Sequence, residues 1–562
     1  MKKLLILLFL STSLYSQSEY PQDYFNNPLD ITLVLSGTFA ELRSSHFHGG
    51  LDIKTQRKQG LKVYASAEGY VSRIKISHFG YGKALYITHP NGYTTVYGHL
   101  QKFSKRIEEY IKMCQYQKES YEVEVFPGPE ELQVDVNEIV AYSGNTGGSG
   151  GPHLHFEIRD NQERPINPML FGIDIKDTKA PFVIGVYAYP KNKDALINGK
   201  NKRVPLRLIP KKNGDYEVEK ITAQGDIGFG VTTYDKQDLA PNSNGVSNIQ
   251  TFFNGNKSLE IDFKRFSFNE TKHIKRLIDY EYWKTKKSRI QKLFIEPNNP
   301  LSLYKDAYDS GFVKVEDSTS SVYKIRIRDY KQNETWVNIP IKGKRLELQI
   351  KLEEIISGKS LVYSDRSTEL NSENVTVNFY KNTVYDDEWI DFSVSSDTLQ
   401  LHEDKIPLQK NFYINYDISN YKIQHQDKLF IARLYGYYKK PSYVYTTRKG
   451  NTLSAGSKIF GTYTLAMDTI APTIKPLNFQ RKKWLSKYRY LKIKIDDDLS
   501  GISKYRATVN GKWILMEYDY KTKSLIHDFN DNVVKDTKND LKIIVTDNVG
   551  NSSTFEATFF RK

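Results

Sequence analysis

Residues 151–157 read Gly151-Pro152-His153-Leu154-His155-Phe156-Glu157. Polar and apolar side chains alternate here with the period of two that is typical of a β-strand. His153 and His155 therefore share one face, while Leu154 and Phe156 point towards a core. Glu157 follows on the histidine face, where it could support a histidine from behind, although an exposed strand glutamate is the expectation. Two imidazoles on one face predict a metal site if other segments supply further ligands.

Two other strings contain the same kinds of residue, His48-Gly49-Gly50-Leu51-Asp52 and Tyr97-Gly98-His99-Leu100. The adjacent glycines disfavour a helix after His48, so residues 51–53 indicate the start of a strand that carries Asp52. Imidazole nitrogens combined with one carboxylate form a ligand set that suits zinc.

The histidines are concentrated in one part of the chain, with seven of the 11 lying between residues 46 and 155. Because histidine is a common metal ligand and acid–base residue, we expect this region to contain the metal-binding or catalytic residues. Strand patterns between Gly and Asn-Gly breaks predict an antiparallel sheet, at residues 61–65, 70–76, 84–88 and 94–97. Apolar residues at helical spacing predict one amphipathic helix over 102–118, with Cys114 on its core face.

The three strings together resemble the lysostaphin-like, or LytM-type, zinc metallopeptidases, whose signature is H-x-x-x-D followed downstream by H-x-H. The resemblance spans residues 40–172. It implies that His48, Asp52 and His155 bind Zn²⁺, and that His99 and His153 act on water or the transition state. His46 is an alternative ligand, but only His48 has the family's spacing to Asp52.

This ligand set is typical of catalysis, because three protein ligands leave one position of a tetrahedral zinc for water. The 54 residues from position 99 to position 153 (153−99) exceed the connection expected for the family. We therefore expect an insertion at about 102–133, which could cap the cleft or gate access to it.

The remainder of the chain contains an internal repeat. Asp177-Thr178-Lys179-Ala180-Pro181 is echoed by Asp468-Thr469-Ile470-Ala471-Pro472, and each copy closes with an Asp and an Asn four residues apart, Asp329 with Asn333 and Asp547 with Asn551. The pattern resembles bacterial immunoglobulin-like modules. A calcium loop that would begin at Asp496 is rejected, because position twelve is Ala507 where a bidentate glutamate is needed.

The predicted fold class is mainly β, an antiparallel β-sheet metallopeptidase domain with a helical insertion, followed by β-sandwich domains. The predicted segments are a secretory signal at 1–16, the metallopeptidase domain at 25–175, an immunoglobulin-like domain at 176–345, a β-rich domain at 346–467 and a second immunoglobulin-like domain at 468–562. We expect the tail after residue 175 to position the enzyme without taking part in hydrolysis, and a chain ending there to fold and retain zinc.

The formal net charge is +15, but the basic residues are spread thinly without a long Lys/Arg block. This distribution argues against nucleic-acid binding and suits an anionic envelope polymer. No stretch approaches the ~20 apolar residues of a transmembrane helix. The short apolar run after Lys2 and Lys3 predicts export, to the periplasm or the cell envelope.

The function implied by the resemblance is hydrolysis of stem peptides or cross-bridges in peptidoglycan by a secreted zinc endopeptidase. The alternative is a non-catalytic envelope regulator that activates a separate wall hydrolase, although such relatives usually lack a zinc ligand and this chain has the whole set. A third interpretation is an adhesin with a vestigial enzyme domain. The C-terminal β domains are candidates for binding an envelope protein.

Overall fold

A computed structural model describes residues 19–345, 347, 358–421 and 424–562. The predicted signal at 1–16 lies outside the described residues. The described chain is mainly β and forms several sheets, which confirms the predicted fold class. Its helices are short, and none of those described has both the length and the apolar character needed to span a bilayer.

The N-terminal region is built on one large sheet and one small sheet. Its elements are β1 (Leu35–Gly37), β2 (Leu51–Lys54), β3 (Lys62–Tyr64), β4 (Gly69–Ile76), β5 (Lys83–Thr88), β6 (Thr94–Gly98), β7 (Lys102–Phe103), α1 (Lys105–Lys118), β8 (Val123–Val125), β9 (Gln133–Val134), β10 (Ile139–Tyr142), β11 (His153–Arg159) and β12 (Pro165–Ile166). The large sheet has the order β1-β2-β11-β6-β5-β4-β8, with β12 beside β11 and β9 beside β4, and the small sheet has the order β3-β10-β7. The four strands predicted between residues 61 and 97 are all present.

The predicted helix forms three residues later than expected. Residues 102–103 pair with β10 as strand β7, so α1 begins at Lys105 after Ser104. Ile107 and Ile111 are its buried apolar residues, and Cys114 is half-buried and packs against the same core. The sequence pattern thus identified the correct apolar face.

Residues 182–343 form a second large sheet. The strands on its main path are, in spatial order, Val204–Leu206, Phe182–Pro190, Ile221–Tyr234, Glu334–Gly343, Ser320–Arg328, Asn248–Phe253, Asn256–Asp262 and Tyr304–Lys305. Shorter strands pair beside them at Leu196–Ile197, Leu208–Pro210, Tyr216–Val218, Gln291–Lys292 and Val313–Val315. Two short helices, Ile274–Leu277 and Tyr280–Lys286, lie in the same region.

One hydrophobic core runs from the N-terminal region into this second sheet. Phe39 and Phe47 pack on Phe266, with ring centroids 5.2 and 5.4 Å apart. Ile175, at the predicted boundary, is buried. A chain ending near residue 175 would therefore expose part of this core, and the expectation that it folds and retains zinc stays a prediction.

The middle block is a pair of sheets that share one core. The first contains Lys359–Val362, Glu388–Ser395, Thr398–Leu401, Gly461–Met467, Leu429–Tyr435 and Lys440–Tyr443. The second contains Thr368–Ser372, Val375–Phe379, Phe412–Asp417, Thr452–Ser457 and Thr446–Lys449. This arrangement is a β-sandwich.

The C-terminal block is a smaller sandwich of two four-stranded sheets around its own core. One sheet contains Thr473–Pro476, Tyr490–Asp496, Ser524–Asp528 and Glu517–Asp519, and the other contains Lys512–Trp513, Ile502–Val509, Lys538–Asp547 and Ser552–Phe560. The immunoglobulin-like assignment of the regions around the two repeats stays a prediction, as do the exact domain limits.

The C-terminal sandwich packs against helix α1 of the N-terminal region. The ring centroids of Tyr116 and Trp513 lie 5.2 Å apart, and the Tyr116 hydroxyl donates to Oδ2 of Asp531 at 2.9 Å. Lys112 donates to the other oxygen of Asp531 at 2.5 Å. The helical insertion therefore serves as a docking surface for the last block of the same chain.

Candidate metal centre

Strand pairing brings the predicted ligands together. β11 lies between β2 and β6, and in this register His155 is directly opposite Asp52 on one side and Gly98 on the other. Directly opposed residues have Cβ atoms about 4.5–5.5 Å apart, so the pairing of β2 with β11 places the side chains of Asp52 and His155 next to each other. His99 follows Gly98 and enters the same site with φ 58°, a left-handed conformation that non-glycine residues adopt mainly where surrounding structure imposes it.

Three side chains converge within ligand distance of one another. Nε2 of His48 and Nδ1 of His155 each lie 2.9 Å from Oδ1 of Asp52 and 3.1 Å from each other. His46, the alternative ligand, is exposed, its ring contacts Ser45, and it is outside this cluster. The structure therefore gathers the preferred set.

The opposite nitrogen of each of these histidines has a partner. Nδ1 of His48 lies 2.7 Å from the carbonyl of Thr38, and Nε2 of His155 lies 2.8 Å from Oε1 of Glu157. When these outer nitrogens donate, the lone pairs of the inner nitrogens face Asp52. Two nitrogens and one carboxylate oxygen in this orientation fit a zinc ion.

Glu157 is fully buried, so the expectation of an exposed strand glutamate was wrong. It accepts hydrogen bonds from Tyr81 and from Nε of Arg159, the latter at 2.6 Å, as well as from His155. Burial alone would raise the pKa of Glu157, but Arg159 and His155 outweigh it and lower the pKa to about 2. The residue is a permanent anion behind His155.

The site favours a positive charge at His155. Burial acts to lower the pKa of this residue, yet its hydrogen bonds to Asp52 and Glu157 raise the pKa to about 9. Burial lowers the pKa of His48, which stays neutral. A metal ion between the two histidines and Asp52 would supply the positive charge that these carboxylates attract.

Arg43 is a component that the sequence pattern did not indicate. Its guanidinium donates to Oδ2 of Asp52 at 3.0 Å, while Oδ1 of the same carboxylate faces the histidines. Burial opposes ionisation of Asp52, but His48, His153 and His155 together hold its pKa well below the usual range. Because Arg43 holds Oδ2 of Asp52, the other oxygen, Oδ1, is the one that faces the histidines.

The two predicted catalytic histidines lie beside the cluster and are oriented by one loop. Nδ1 of His99 lies 2.8 Å from the carbonyl of Thr146, and Nδ1 of His153 lies 2.8 Å from the carbonyl of Gly151. Their ring centroids are 4.7 Å apart, and Nε2 of His153 lies 3.3 Å from Oδ1 of Asp52. Burial and the nearby histidines lower the pKa of His99 to about 3, so it is neutral at ordinary pH.

The glycine-rich loop at 144–151 is held from the N-terminal side by a close backbone approach. Gly147 has φ 67°, and a Cβ there would lie 2.3 Å from the backbone nitrogen of Gly82, so only glycine fits. The amide of Gly148 also donates to the carbonyl of Gly80 at 2.7 Å.

The C-terminal sandwich holds the same loop from the other side. The hydroxyl of Tyr520 donates to the carbonyl of Gly147 at 3.2 Å, and Nζ of Lys521 donates to the carbonyl of Asn145 at 2.6 Å. The ring of Tyr520 packs on Phe79 at 4.8 Å between centroids. Tail residues therefore contact the loop that orients both His99 and His153, and the expectation that the tail takes no part in hydrolysis itself stays a prediction.

The comparison with family models agrees with this geometry. The model described as "Peptidase family M23" matches residues 46–116, which include His48, Asp52 and His99. The chain contains an M23 peptidase domain. A second model, "Zu5-like domain", matches residues 359–468, the middle sandwich that the sequence predicted only as β-rich.

Curated relatives match the M23 domain and not the whole chain. "DD-carboxypeptidase/endopeptidase Mpg" of Neisseria meningitidis is 31% identical over 156 residues, 28% of this chain and 30% of that protein. An "Uncharacterized metalloprotease" of Haemophilus influenzae is 32% identical over 122 residues, 22% of this chain and 20% of that protein. The chain thus spans less than a third of the length of these relatives.

Similar solved structures also cover this part. A zinc-containing peptidase from Vibrio cholerae is 27% identical with a TM-score of 0.20, covering 26% of this chain and 40% of that one. The catalytic domain of lysostaphin from Staphylococcus simulans is 23% identical with a TM-score of 0.18, covering 24% of this chain and 90% of that one.

Proposed function

We propose that the chain is a secreted, zinc-dependent endopeptidase that hydrolyses peptide bonds in peptidoglycan. The observation that carries the proposal is the convergence of His48, Asp52 and His155, with His99 and His153 beside them. The M23 match supports a peptidase, and the name of the Neisseria relative supports wall peptides as the substrate class.

His48, Asp52 and His155 would hold the zinc ion, with Glu157, Thr38 and Arg43 fixing their orientation. Bound zinc supplies a Lewis acid that polarises a carbonyl and lowers the pKa of water. The chain's own contribution is proton transfer. Since Nδ1 of His99 and of His153 faces a backbone carbonyl, Nε2 is the atom that can accept a proton from water and return it to the leaving amine.

The place of action follows from the sequence. The predicted signal at 1–16 directs the chain across the inner membrane, and the formal charge of +15 suits an anionic wall polymer. We assign to the C-terminal β blocks a role in holding the catalytic loop and in binding an envelope protein partner.

The test is digestion of purified sacculi by the zinc-loaded mature protein, followed by mass spectrometry of the released fragments. We expect products cut within stem peptides or cross-bridges and intact glycan strands. His155→Ala should release none of them. Glycan cleavage would contradict the proposal. If the protein releases nothing alone but increases turnover by a separate wall hydrolase, the regulator is the correct function.

A further inference from the structure

Two further clusters of carboxylates occur at equivalent places in the two repeats. Asp177, Asp235 and Asp329 each offer one oxygen within 4.8 Å of the others, and Asp468, Asp497 and Asp547 do the same. In each cluster two of the three aspartates are buried. Burying several carboxylates together is costly unless a positive charge compensates them.

The first cluster lines a small cavity that contains an unused acceptor. The cavity has a volume of about 20 Å³, enough for one water-sized particle, and Gln237 lines it together with the three aspartates. Gln237 is 4% exposed, and its Oε1 atom has no hydrogen-bond partner among the described residues. Oδ1 of Asp235, which is 2% exposed, has none either.

The second cluster repeats this arrangement. Within the described part of the chain, Oδ1 of Asp497 has no hydrogen-bond partner, and neither has the hydroxyl of Ser500, a residue that is 2% exposed. Ser500 lies at the cluster because its backbone amide donates to Oδ2 of Asp468 at 3.0 Å. Each repeat therefore combines three carboxylates with one neutral oxygen that lacks a hydrogen-bond partner, Oε1 of Gln237 in the first and Oγ of Ser500 in the second.

In each cluster, an equivalent asparagine holds the first and the last aspartate together by hydrogen bonds. Nδ2 of Asn333 donates to the carbonyl of Asp177 at 3.2 Å and to Oδ2 of Asp329 at 2.7 Å. Nδ2 of Asn551 donates in the same way to Asp468 at 2.9 Å and to Asp547 at 2.7 Å. These bonds orient the carboxylates of Asp329 and Asp547 and hold the backbone of Asp177 and Asp468 beside them. Oδ1 of Asp235 and Oδ1 of Asp497 remain without hydrogen-bond partners among the described residues.

We propose that the chain binds two calcium ions away from the peptidase site, one on Asp177, Asp235, Asp329 and Gln237 and one on Asp468, Asp497, Asp547 and Ser500. The donors are all oxygens, which selects a hard cation and disfavours zinc. Several carboxylates joined by neutral oxygens suit the flexible coordination of calcium better than the strict octahedron of magnesium. This site shares Ser500 with the rejected loop, but its carboxylates are Asp468, Asp497 and Asp547 in place of Asp496 and Asp498.

Charge supports a divalent ion at the first cluster. Asp235 is 2% exposed, and one of its carboxylate oxygens lies within 4.8 Å of an oxygen from each of Asp177 and Asp329. Two lysines are nearby, but the ammonium of Lys179 donates to the carbonyls of Gln237 and Asp238, and the ammonium of Lys331, which also lines the cavity, donates to Asp174 at 2.6 Å. The carboxylates are therefore left without a full counter-charge from the protein.

Each cluster joins segments that begin and end a repeat. Asp177 precedes the first long strand of its region, while Asp235 and Asp329 directly follow the strands Ile221–Tyr234 and Ser320–Arg328. Thr38, whose carbonyl faces His48, also lines the first cavity. A calcium ion here would fix the joint between the M23 domain and the second sheet, and its counterpart would fix the joint between the two sandwiches.

The experiment measures calcium binding to the zinc-loaded mature chain by equilibrium dialysis and by the shift in melting temperature. We expect two calcium ions per chain, with affinity on the order of 10⁻⁴–10⁻³ M as in extracellular modules. Asp235→Asn and Asp497→Asn should each lose one ion and part of the shift, and the double variant should lose both. Asp498→Asn, an exposed neighbour, should retain two.

Gln237→Ala and Ser500→Ala serve as second variants that leave every carboxylate in place. Each should weaken one of the two ions several-fold, and circular dichroism should show a native fold. The proposal is overturned if the wild type binds no calcium at millimolar concentration, if magnesium binds equally well, or if Asp235→Asn and Asp497→Asn still bind two ions.

Discussion

Nζ of Lys83 lies 2.9 Å from both carboxylate oxygens of Glu517, although 434 residues separate the two in the chain. Lys83 opens strand β5 of the M23 domain and is 4% exposed, whereas Glu517 belongs to the C-terminal sandwich. The backbone amide of Lys83 also donates to the hydroxyl of Thr146 in the glycine-rich loop at 144–151, at 3.0 Å. One buried lysine therefore links the last block of the chain to the loop that orients His99.

Glu517→Ala should destabilise the protein, because it leaves a buried ammonium without its partner. We expect the free energy of unfolding to fall by about 1–3 kcal/mol in denaturant titrations. Glu119→Ala is the matched control, since Glu119 forms an exposed ion pair with Arg506 of the same sandwich, and should cost less than about 1 kcal/mol. Equal losses in the two variants would show that the burial of Lys83 does not matter.

Tyr520→Ala should lower turnover of a soluble wall peptide several-fold while zinc content stays unchanged. Tyr520 contacts Phe79 and Gly147 and none of the proposed zinc ligands, so its removal loosens only the loop that positions His99 and His153. Tyr520→Phe is the control, which removes the hydrogen bond and keeps the ring contact, and its effect should be smaller. Loss of zinc from Tyr520→Ala would place the effect at the ligands instead.

The alternation of His153, Leu154, His155 and Phe156 could be interpreted from the sequence because a strand has a period of two. The same pattern could not show that Glu157 is buried. Burial of both faces depends on β2 and β6 flanking β11 and on Tyr81 and Arg159 covering the histidine side. Those contacts come from residues distant in sequence, and no local period records them.

The repeat illustrates the same limit. Asp177, Asp329, Asp468 and Asp547 were recognisable because each keeps its place relative to a shared landmark. Asp235 and Asp497 were not. The nearest matched strings in the two copies are Gly245-Val246-Ser247 and Gly501-Ile502-Ser503, and Asp235 lies 10 residues before the first (245−235) while Asp497 lies four before the second (501−497). Sheet packing brings them to equivalent positions despite the different loop lengths.

Glu157→Gln should weaken zinc binding by roughly 10–100-fold, the usual cost of removing the partner of a metal-ligating histidine. The substitution keeps the size of the side chain and removes the charge that holds His155 and Arg159. Competition with a chelator measures the affinity. Glu163→Gln is the control, because Glu163 contacts Arg159 from an exposed position, and it should bind zinc like the wild type. Equal affinity in Glu157→Gln would exclude the positioning role.

His89 should make the protein sensitive to mild acid. Its ring is buried against the carbonyl of Glu68 and the hydroxyl of Thr95, and burial lowers its pKa to about 4. The unfolded chain, with an ordinary pKa near 6.5, binds the proton more tightly. The stability is therefore fully present above about pH 6.5 and is lost as the pH falls towards 4.

His89→Gln should flatten this pH dependence by an amount on the order of 3 kcal/mol between pH 6.5 and 4. Denaturant unfolding at several pH values measures it. His425→Gln, at an exposed position, should keep the wild-type slope. A wild-type slope in His89→Gln would show that other groups dominate the acid response.

The last prediction separates the ligands from the proton-transfer residues. His99→Ala and His153→Ala should retain zinc, because their proposed role is at the water and not at the metal, yet each should lose roughly 10²–10⁴-fold in turnover. The double variant should be less impaired than the product of the two singles, since groups that act as one unit are not additive. His155→Ala should lose zinc and turnover together, because Nδ1 of His155 faces Asp52 and His48.

If His153→Ala loses zinc while His155→Ala keeps it, the two roles are exchanged. If every variant turns over wall like the wild type and only activation of a partner hydrolase changes, the site is regulatory.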